Sequence, residues 1–200
     1  MKTIIIGLTG QTGAGKSTIA GMLAEKGCFV VDGDVLARDV TANGSPVLKK
    51  LAEEFGADIL DAGGNLNRKL LGSRAFASRE MTKKLNDITH PAITGKALEI
   101  IRAAEERGEK AVVIDAAALL ESGIAGLCDI IAVVTAPEHI RLGRIMKRDG
   151  LSRPETLKRM RAQLDEKKYT EKADIVLRAY PPSKVQTEVE KLTALINEKA

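Results

Sequence analysis

Residues 10–17 near the start of the chain, GQTGAGKS, have the types and spacing of a phosphate-binding loop. They match the pattern GxxxxGK[ST] between an aliphatic run and a helical pattern. Glycines allow consecutive backbone N–H groups to point at phosphate oxygens, and the following helix adds partial positive charge. In such a loop Lys16 bridges the β- and γ-phosphates, and Ser17 offers a hydroxyl to Mg²⁺. We predict that ATP is bound by Gly10, Gln11, Thr12, Gly13, Ala14, Gly15, Lys16, Ser17 and Thr18.

Three carboxylates follow aliphatic runs that read as strands. Asp32 and Asp34 lie at the end of one run, and Asp115 ends another like a Walker B residue. The carboxyl ends of parallel strands meet at the edge of a sheet where ligands bind. A carboxylate there could take a proton from an attacking hydroxyl or hold Mg²⁺, for which Asp34 and Asp115 are the candidates. The alternatives are a helix cap for each, with Asp34 paired to Arg38.

A basic segment lies in the last third of the chain. Its eight cations are Arg141, Arg144, Lys147, Arg148, Arg153, Lys158, Arg159 and Arg161. Gly150 and Pro154 break the helical pattern here, as a hinged lid requires. Arginines of a lid can stabilise charge on a phosphoryl group, and lid closure excludes water. A solvated charged face and a nucleic-acid surface remain the alternatives.

The histidines and cysteines do not indicate a zinc site, because their spacing is not that of metal ligands. His90 precedes Pro91, which disfavours helical backbone at His90 and predicts a break in the helical pattern there. A lone histidine in such a position is more often structural than catalytic. His139 is interpreted as a surface residue.

Five aliphatic runs predict the strands of a parallel sheet buried on both faces. They span residues 3–8, 28–32, 110–116, 129–135 and 174–178. Helical patterns alternate with them, which predicts an α/β P-loop sandwich of three layers. The last helix is predicted to have Ser183 as its N-cap. Its apolar stripe consists of Val185, Val189, Leu192 and Ile196.

Two segments are longer than simple strand connections require. Residues 35–109 predict a helical insertion that binds the acceptor, and residues 138–168 predict a lid region. The nucleotide-binding core is then formed by residues 1–34 and 110–200.

The amino-acid composition limits the binding partners and the cellular location that we expect for this protein. The net charge is only +4 and aromatic residues make up 2% of the chain, so stacking platforms for single-stranded nucleic acid are few. No apolar run approaches the roughly 20 residues of a spanning helix, and the N-terminus lacks the features of a signal peptide. We expect a cytoplasmic protein that binds neither nucleic acid nor membrane, and that is a monomer or a weak homo-oligomer.

Taken together, the motifs resemble those of the dephospho-CoA kinase family along nearly the whole chain. The matching stretches are GLTGQTGAGKST, VVDGDVLAR, GSPVLKKLAEEFG, LNDITHPAI, ALLESG, RIMKRDGLS, and the RAQ and AD elements near 161–174. The resemblance implies a five-stranded parallel core, a helical domain for the CoA portion, and a lid. It also implies transfer of the ATP γ-phosphate to the ribose 3′-hydroxyl of dephospho-CoA, giving CoA and ADP in the last step of coenzyme A synthesis.

The resemblance also assigns residues. It implies that Asp34 is the base, that Arg38 and His90 bind substrate, and that Arg144 and Arg148 contact phosphates from the lid, alongside Lys16. The chain departs from the family pattern where Ala117 and Ala118 follow the third strand and Leu120 replaces an aromatic residue.

Three alternative functions remain. A P-loop kinase for another acceptor, such as a nucleoside monophosphate, is the nearest. A GTP-dependent switch is disfavoured, since DAGG at 61–64 lies in the insertion and the guanine-reading motif NKxD does not occur. A regulator that binds nucleotide without catalysis is the third.

Overall fold

Five parallel strands form the centre of the fold in the computed structural model, which describes residues 2–200. The strands are β1 (Ile4–Thr9), β2 (Phe29–Asp32), β3 (Ala111–Asp115), β4 (Ile130–Thr135) and β5 (Ile175–Arg178). They lie side by side in the order β2-β3-β1-β4-β5. Each strand begins one residue after the corresponding predicted run, and the predicted five-stranded parallel sheet is confirmed.

The aliphatic character of the strands follows from burial on both faces of the sheet. All six residues of β1 are buried, and Ile6 pairs with Val113 on one side and Ile130 on the other. One face is covered by the first and last helices, and the other by the end of the long helix that precedes β3. This is the predicted sandwich of three layers.

Nine α-helices are described in residues 2–200. They are α1 (Lys16–Glu25), α2 (Gly33–Val40), α3 (Pro46–Phe55), α4 (Arg68–Ala75), α5 (Arg79–Glu106), α6 (Glu138–Asp149), α7 (Arg153–Arg161), α8 (Glu166–Thr170) and α9 (Val185–Lys199). None of these helices is both long and apolar enough to cross a membrane.

The helical segment between β2 and β3 has a small core of its own. Leu51, Phe55 and Ile59 pack there with Leu71, and Leu85 of α5 contacts this cluster. The other end of α5 packs on the sheet instead. The long helix therefore connects the two cores.

The predicted break at His90 is wrong, because α5 runs without interruption from Arg79 to Glu106. Pro91 has no N–H to donate to the carbonyl four residues earlier, which normally weakens a helix. Here Leu85 packs in the small core on one side of Pro91, and Ala97 packs on the sheet on the other. Packing at both ends holds the helix together across the missing hydrogen bond.

The predicted cap of the last helix is also wrong, although its apolar stripe is confirmed. Ser183 lies inside a 3₁₀ turn, in which the Lys184 N–H donates to the Pro181 carbonyl at 3.0 Å. This turn precedes α9, so Ser183 cannot be its boundary residue. The four predicted stripe residues are all buried: Val185, Val189, Leu192 and Ile196.

Candidate active site

The loop between β1 and α1 has the backbone of a phosphate cradle. Gly10 and Gly15 have φ angles of 142° and 109°, a backbone conformation that residues other than glycine rarely adopt. A Cβ at Gly15 would lie 3.1 Å from a guanidinium nitrogen of Arg144, so only glycine allows this approach. Among residues 2–200, no side chain caps the first turn of α1. Its N–H groups are therefore available to an anion.

Lys16 lies beside the carboxylate that ends β3. The Lys16 Nζ is 3.8 Å from the Asp115 Oδ1, and both side chains are only about one-sixth exposed. Burial raises the pKa of Asp115, Lys16 opposes this shift, and the nearby carboxylates of Asp32 and Asp34 add to it. The long ion-pair distance explains why burial outweighs the attraction of Lys16. Three carboxylates thus share this edge of the sheet with one lysine.

Asp32, rather than Asp34, caps helix α2. The Asp32 side chain accepts hydrogen bonds from the backbone N–H groups of Asp34 at 2.8 Å and Val35 at 3.3 Å. In the described part of the chain, Asp34 and Arg38 form no ion pair within 4.0 Å. The alternative in which Asp34 caps the helix and pairs with Arg38 is therefore wrong. The Asp34 carboxylate is exposed and faces the loop cleft.

Arg144 on α6 fastens the loop to the rest of the core. Its Nη1 donates to the carbonyls of Gly13 at 3.1 Å and Ala14 at 2.8 Å, and its Nη2 donates to the Ala179 carbonyl at 2.9 Å. Its guanidinium thus joins the phosphate loop to the segment after β5 and lines the cleft at the same time.

Asp149 at the end of α6 holds two arginines. Its carboxylate accepts from the Arg148 Nε at 2.6 Å and the Arg159 Nη1 at 2.7 Å. These hydrogen bonds hold the pKa of Asp149 below its usual range. Gly150 then adopts a left-handed φ of 66° and ends the helix, as predicted, so that α7 turns back toward α6. Arg148 and Arg159, on different helices, are therefore presented to one cleft.

Two amide side chains connect the segment after α7 to the phosphate loop. The Thr12 N–H donates to the Gln163 Oε1 at 2.8 Å, and the Gln11 Nε2 donates to the Leu164 carbonyl at 2.9 Å. Movement of the segment after α7 is therefore coupled to the position of the loop.

These elements enclose a cleft of about 810 Å³. It is lined by Thr12, Gly13, Ala14, Gly15, Lys16, Ser17, Thr18, Asp34, Ala117, Arg144, Lys147, Arg148, Arg159 and Gln163. Five of its side chains are cationic and one is a carboxylate. Such a cleft suits a polyphosphate with an acceptor group beside it.

The comparison with protein families decides what kind of enzyme this cleft belongs to. The family model described as "Dephospho-CoA kinase" matches residues 4–181. The chain belongs to the dephospho-CoA kinase family. Members of this family phosphorylate dephospho-CoA with ATP in the final step of coenzyme A biosynthesis. The chain is therefore a kinase, and the switch and the non-catalytic regulator are set aside.

Relatives of this family match over most of their length. The dephospho-CoA kinase of Corynebacterium jeikeium is 41% identical over 174 residues, which cover 87% of this chain and 89% of that protein. The crystal structure of TT1252 from Thermus thermophilus aligns with a TM-score of 0.81 at 33% identity, covering 100% of both chains. The dephospho-CoA kinase from Campylobacter jejuni aligns with a TM-score of 0.70 at 26% identity, covering 98% of both chains.

Not all residues predicted for the site line this cleft. Gly10 and Gln11 lie at the base of the loop, and Asp115 reaches the cleft through its contact with Lys16. Arg38 is exposed on α2. His90 lies in a separate hollow of about 590 Å³ on α5, with Asp87 and Glu121. Burial lowers the pKa of His90, opposed by these two acids, which favours the neutral imidazole at neutral pH.

Sequence reasoning did not single out Lys147, Arg159 or Gln163 as site residues. Lys147 and Arg159 were part of the basic segment, but nothing in a linear charge run indicates which cations turn inward. The signal for Arg159 is the acid Asp149 ten residues earlier, flanked by a glycine that reverses the chain. Gln163 carries no charge, and its role depends on a contact 151 residues away.

The raised pKa of Asp115 predicts how the free energy of unfolding depends on pH. Because the folded chain disfavours the charged carboxylate, the protonated form stabilises the fold at acidic pH, and this contribution is lost as pH rises through the folded pKa. Asp115→Asn should therefore have a higher free energy of unfolding than wild type at pH 7, with the difference shrinking toward pH 4. Urea unfolding at both pH values measures this. The exposed Asp39→Asn is the control, and a less stable Asp115→Asn at pH 7 would mean that the Lys16 contact dominates.

Proposed function

We propose that this chain transfers the γ-phosphate of ATP to the ribose 3′-hydroxyl of dephospho-CoA, giving CoA and ADP. The observation that carries the assignment of roles is that Asp34 faces the same cleft as Lys16 and the arginines of α6 and α7. A donor cradle and a carboxylate for the acceptor hydroxyl thus border one space.

The donor side consists of the phosphate loop and the start of α1. The free N–H groups of the first helical turn and the loop hold the phosphates, and Lys16 neutralises charge on the β- and γ-phosphates. Its contact with Asp115 keeps the ammonium group at the edge of the sheet rather than in solvent. The loop and Lys16 therefore position the phosphoryl group for transfer.

Asp34 acts on the acceptor side as general base. It is the exposed carboxylate that lines the cleft, while Asp32 is occupied by the cap of α2. It accepts the proton of the 3′-hydroxyl as that oxygen bonds to the γ-phosphorus, and the bond from phosphorus to the β–γ bridging oxygen breaks. The electron pair of that bond leaves with ADP. Position along α2 thus distinguishes the base from the capping residue two positions earlier.

The lid arginines stabilise the charge that develops during transfer. Arg148 and Arg159 are held by Asp149, so their orientation is set before substrate binds. Arg144 keeps the loop in place through its three carbonyl contacts and presents the rest of its guanidinium to the cleft. Closure of this region over the nucleotide would exclude water that otherwise hydrolyses ATP.

Magnesium fits the oxygen donors at this edge. The Ser17 hydroxyl and the carboxylate of Asp115 or Asp34 are hard ligands of the kind that Mg²⁺ takes together with phosphate oxygens. Burial, with a smaller contribution from Asp32 and Asp34, raises the pKa of Asp115, and a divalent cation would favour its charged form. When bound, the ion would neutralise charge on the β- and γ-phosphates.

We propose that the acceptor binds to the helical insertion, residues 35–109. The nucleotide-binding core consists of residues 1–34 and 110–200, and it includes a lid of residues 138–168. Arg38 and His90 are the candidate substrate contacts of the insertion. Phe76, which is exposed, borders the same hollow as His90. Phe76 offers an apolar surface and His90 a hydrogen-bonding group for the pantetheine arm. Ala117 replaces larger side chains at the cleft wall, which leaves more room beside Asp34.

An acceptor comparison tests this function. Purified protein with MgATP should give ADP and CoA from dephospho-CoA with a kcat/KM at least 10²-fold above that for any nucleoside monophosphate. A higher kcat/KM with a nucleoside monophosphate would overturn the assignment and favour a P-loop kinase for that acceptor. We also propose a cytoplasmic location, no nucleic-acid partner, and a monomer or weak homo-oligomer.

Asp149 provides a prediction about the lid. Asp149→Asn removes the charge that holds Arg148 and Arg159, and we expect kcat to fall roughly tenfold to hundredfold because misplaced groups stabilise the transferring phosphoryl less well. The KM for ATP should change less. Steady-state kinetics measures both values, with Arg153→Gln on the same lid as control. Unchanged kcat in Asp149→Asn would show that the ion pairs do not orient the arginines for catalysis.

A further inference from the structure

A second cavity lies beside the phosphate loop, at Gln11. It has a volume of about 910 Å³ and is bounded by the ends of β4 and β5 and by helices α6, α7 and α8. Leu157, Met160 and Leu164 supply apolar wall, and Gln11 supplies the wall toward the loop. Its size is in the range of sites that bind small metabolites. Phosphoryl transfer, as derived above, does not use it.

The cavity contains a buried cation without a partner. Arg141 on α6 is 7% exposed, and its Nε and Nη1 atoms have no hydrogen-bond partner among residues 2–200. None of the carboxylates described in this range lies within 4.0 Å of its guanidinium nitrogens. Arginine stays charged at all relevant pH values, and a buried charge without a partner is strongly unfavourable. An anionic partner in the cavity would remove this cost.

The phosphate loop contributes an unsatisfied acceptor to the same cavity. The Gln11 Oε1 is buried without a hydrogen-bond partner within the described residues, while its Nε2 is fixed on the Leu164 carbonyl. The amide orientation is therefore set, and Oε1 is left for a donor. Arg141 and Gln11 line both the cavity and a smaller gap beneath it. The Arg141 guanidinium can donate hydrogen bonds to an anion, and the Gln11 Oε1 can accept one from a donor group.

The other charged side chains that line the cavity, two cations and three acids, are all exposed. Arg161 and Arg178 are exposed cations of its rim, and the acids are Glu138, Asp165 and Glu166. Asp165 caps α8 through the Lys167 N–H at 2.9 Å. Glu166 is the acid that also lines the gap beneath Arg141, without reaching it. The uncompensated charge in the interior is thus the guanidinium of Arg141.

We propose that this cavity is a binding site for a small metabolite bearing an oxyanion, a carboxylate or a phosphate, which pairs with Arg141. A hydrogen-bond donor of the same ligand would meet the Gln11 Oε1, and its apolar part would pack against Leu157 and Met160. The site shares only Gln163 among its lining residues with the cleft that is proposed to hold ATP, and its wall includes Gln11, the loop residue before Thr12. This inference goes beyond the proposed kinase function and does not depend on it.

Side-chain NMR of arginine tests the site directly. The protein is labelled with ¹⁵N and saturated with Mg²⁺ and a non-hydrolysable ATP analogue, so that added anions cannot occupy the phosphate loop. The Nε–H signal of Arg141 is assigned from its loss in Arg141→Gln. Inorganic phosphate and succinate are then titrated in separate arms. We expect a saturable shift of this signal in one arm, and that arm identifies the ligand as phosphate- or carboxylate-bearing.

Two variants make the result interpretable. Arg153→Gln on the lid surface should bind the anion as wild type does. Arg141→Lys keeps the charge but not the planar donors, and should bind the same anion roughly tenfold more weakly, which provides a test if Arg141→Gln does not fold. The proposal is overturned if neither arm shifts the signal, or if the shift occurs only without the ATP analogue. It is also overturned if Glu166→Gln moves the Arg141 signal without added anion while neither anion shifts the wild-type signal, because Glu166 is then the partner of Arg141.

Discussion

Asp34→Asn is expected to lower kcat by roughly 10²- to 10⁴-fold, the range in which a general base contributes. Asparagine keeps the shape of the side chain but cannot take the proton of the acceptor hydroxyl. Because the α2 cap is formed by Asp32, the substitution should leave the helix and the free energy of unfolding unchanged. Steady-state kinetics with dephospho-CoA measures kcat, and calorimetry measures binding of both substrates.

The matched control is Asp39→Asn, an exposed aspartate on the same helix that does not line the cleft. It should retain wild-type kcat. Full turnover by an Asp34→Asn variant that binds both substrates would show that Asp34 is not the general base.

Lys16→Met is expected to reduce kcat/KM for ATP by about 10²- to 10³-fold, as removal of one preorganised donor to a developing charge does. Methionine keeps the length of the side chain and loses the ammonium group. The loss should appear mainly in kcat, because the loop N–H groups still bind the phosphates. Nucleotide binding by calorimetry and turnover by steady-state kinetics separate the two contributions.

Lys26→Met at the other end of α1 is the control for the loss of one positive charge from the same helix. It lies at the C-cap, away from the phosphates, and should behave as wild type. Equal activity of Lys16→Met and Lys26→Met would show that Lys16 does not act on the phosphoryl group.

The sheet and the loop could be predicted closely because their signals are local. Strands buried on both faces must be aliphatic along their whole length, so five short runs were sufficient to place β1 to β5. The pattern GxxxxGK[ST] imposes glycines where the backbone needs positive φ, as at Gly10 and Gly15. The position of Asp34 at the edge of the sheet followed from the same reasoning.

The errors and omissions concern residues whose behaviour depends on distant contacts. Pro91 would end an isolated helix, but packing on both sides of it keeps α5 intact. Ser183 has the residue type of a cap, yet it lies inside the 3₁₀ turn after Pro181, one residue before Lys184, the N-cap of α9. The role of Gln163 depends on Thr12, far away in the chain, and one sequence contains no trace of that contact.

The central claim is that the cleft joins the γ-phosphate of ATP to the 3′-hydroxyl of dephospho-CoA. Phosphorus-31 NMR of a reaction mixture with MgATP and dephospho-CoA tests it most directly. The account predicts that one new phosphomonoester on the ribose 3′-oxygen appears for each ADP formed, and that Asp34→Asn suppresses both. ADP formed without that phosphomonoester, or a phosphate on another position, would contradict it.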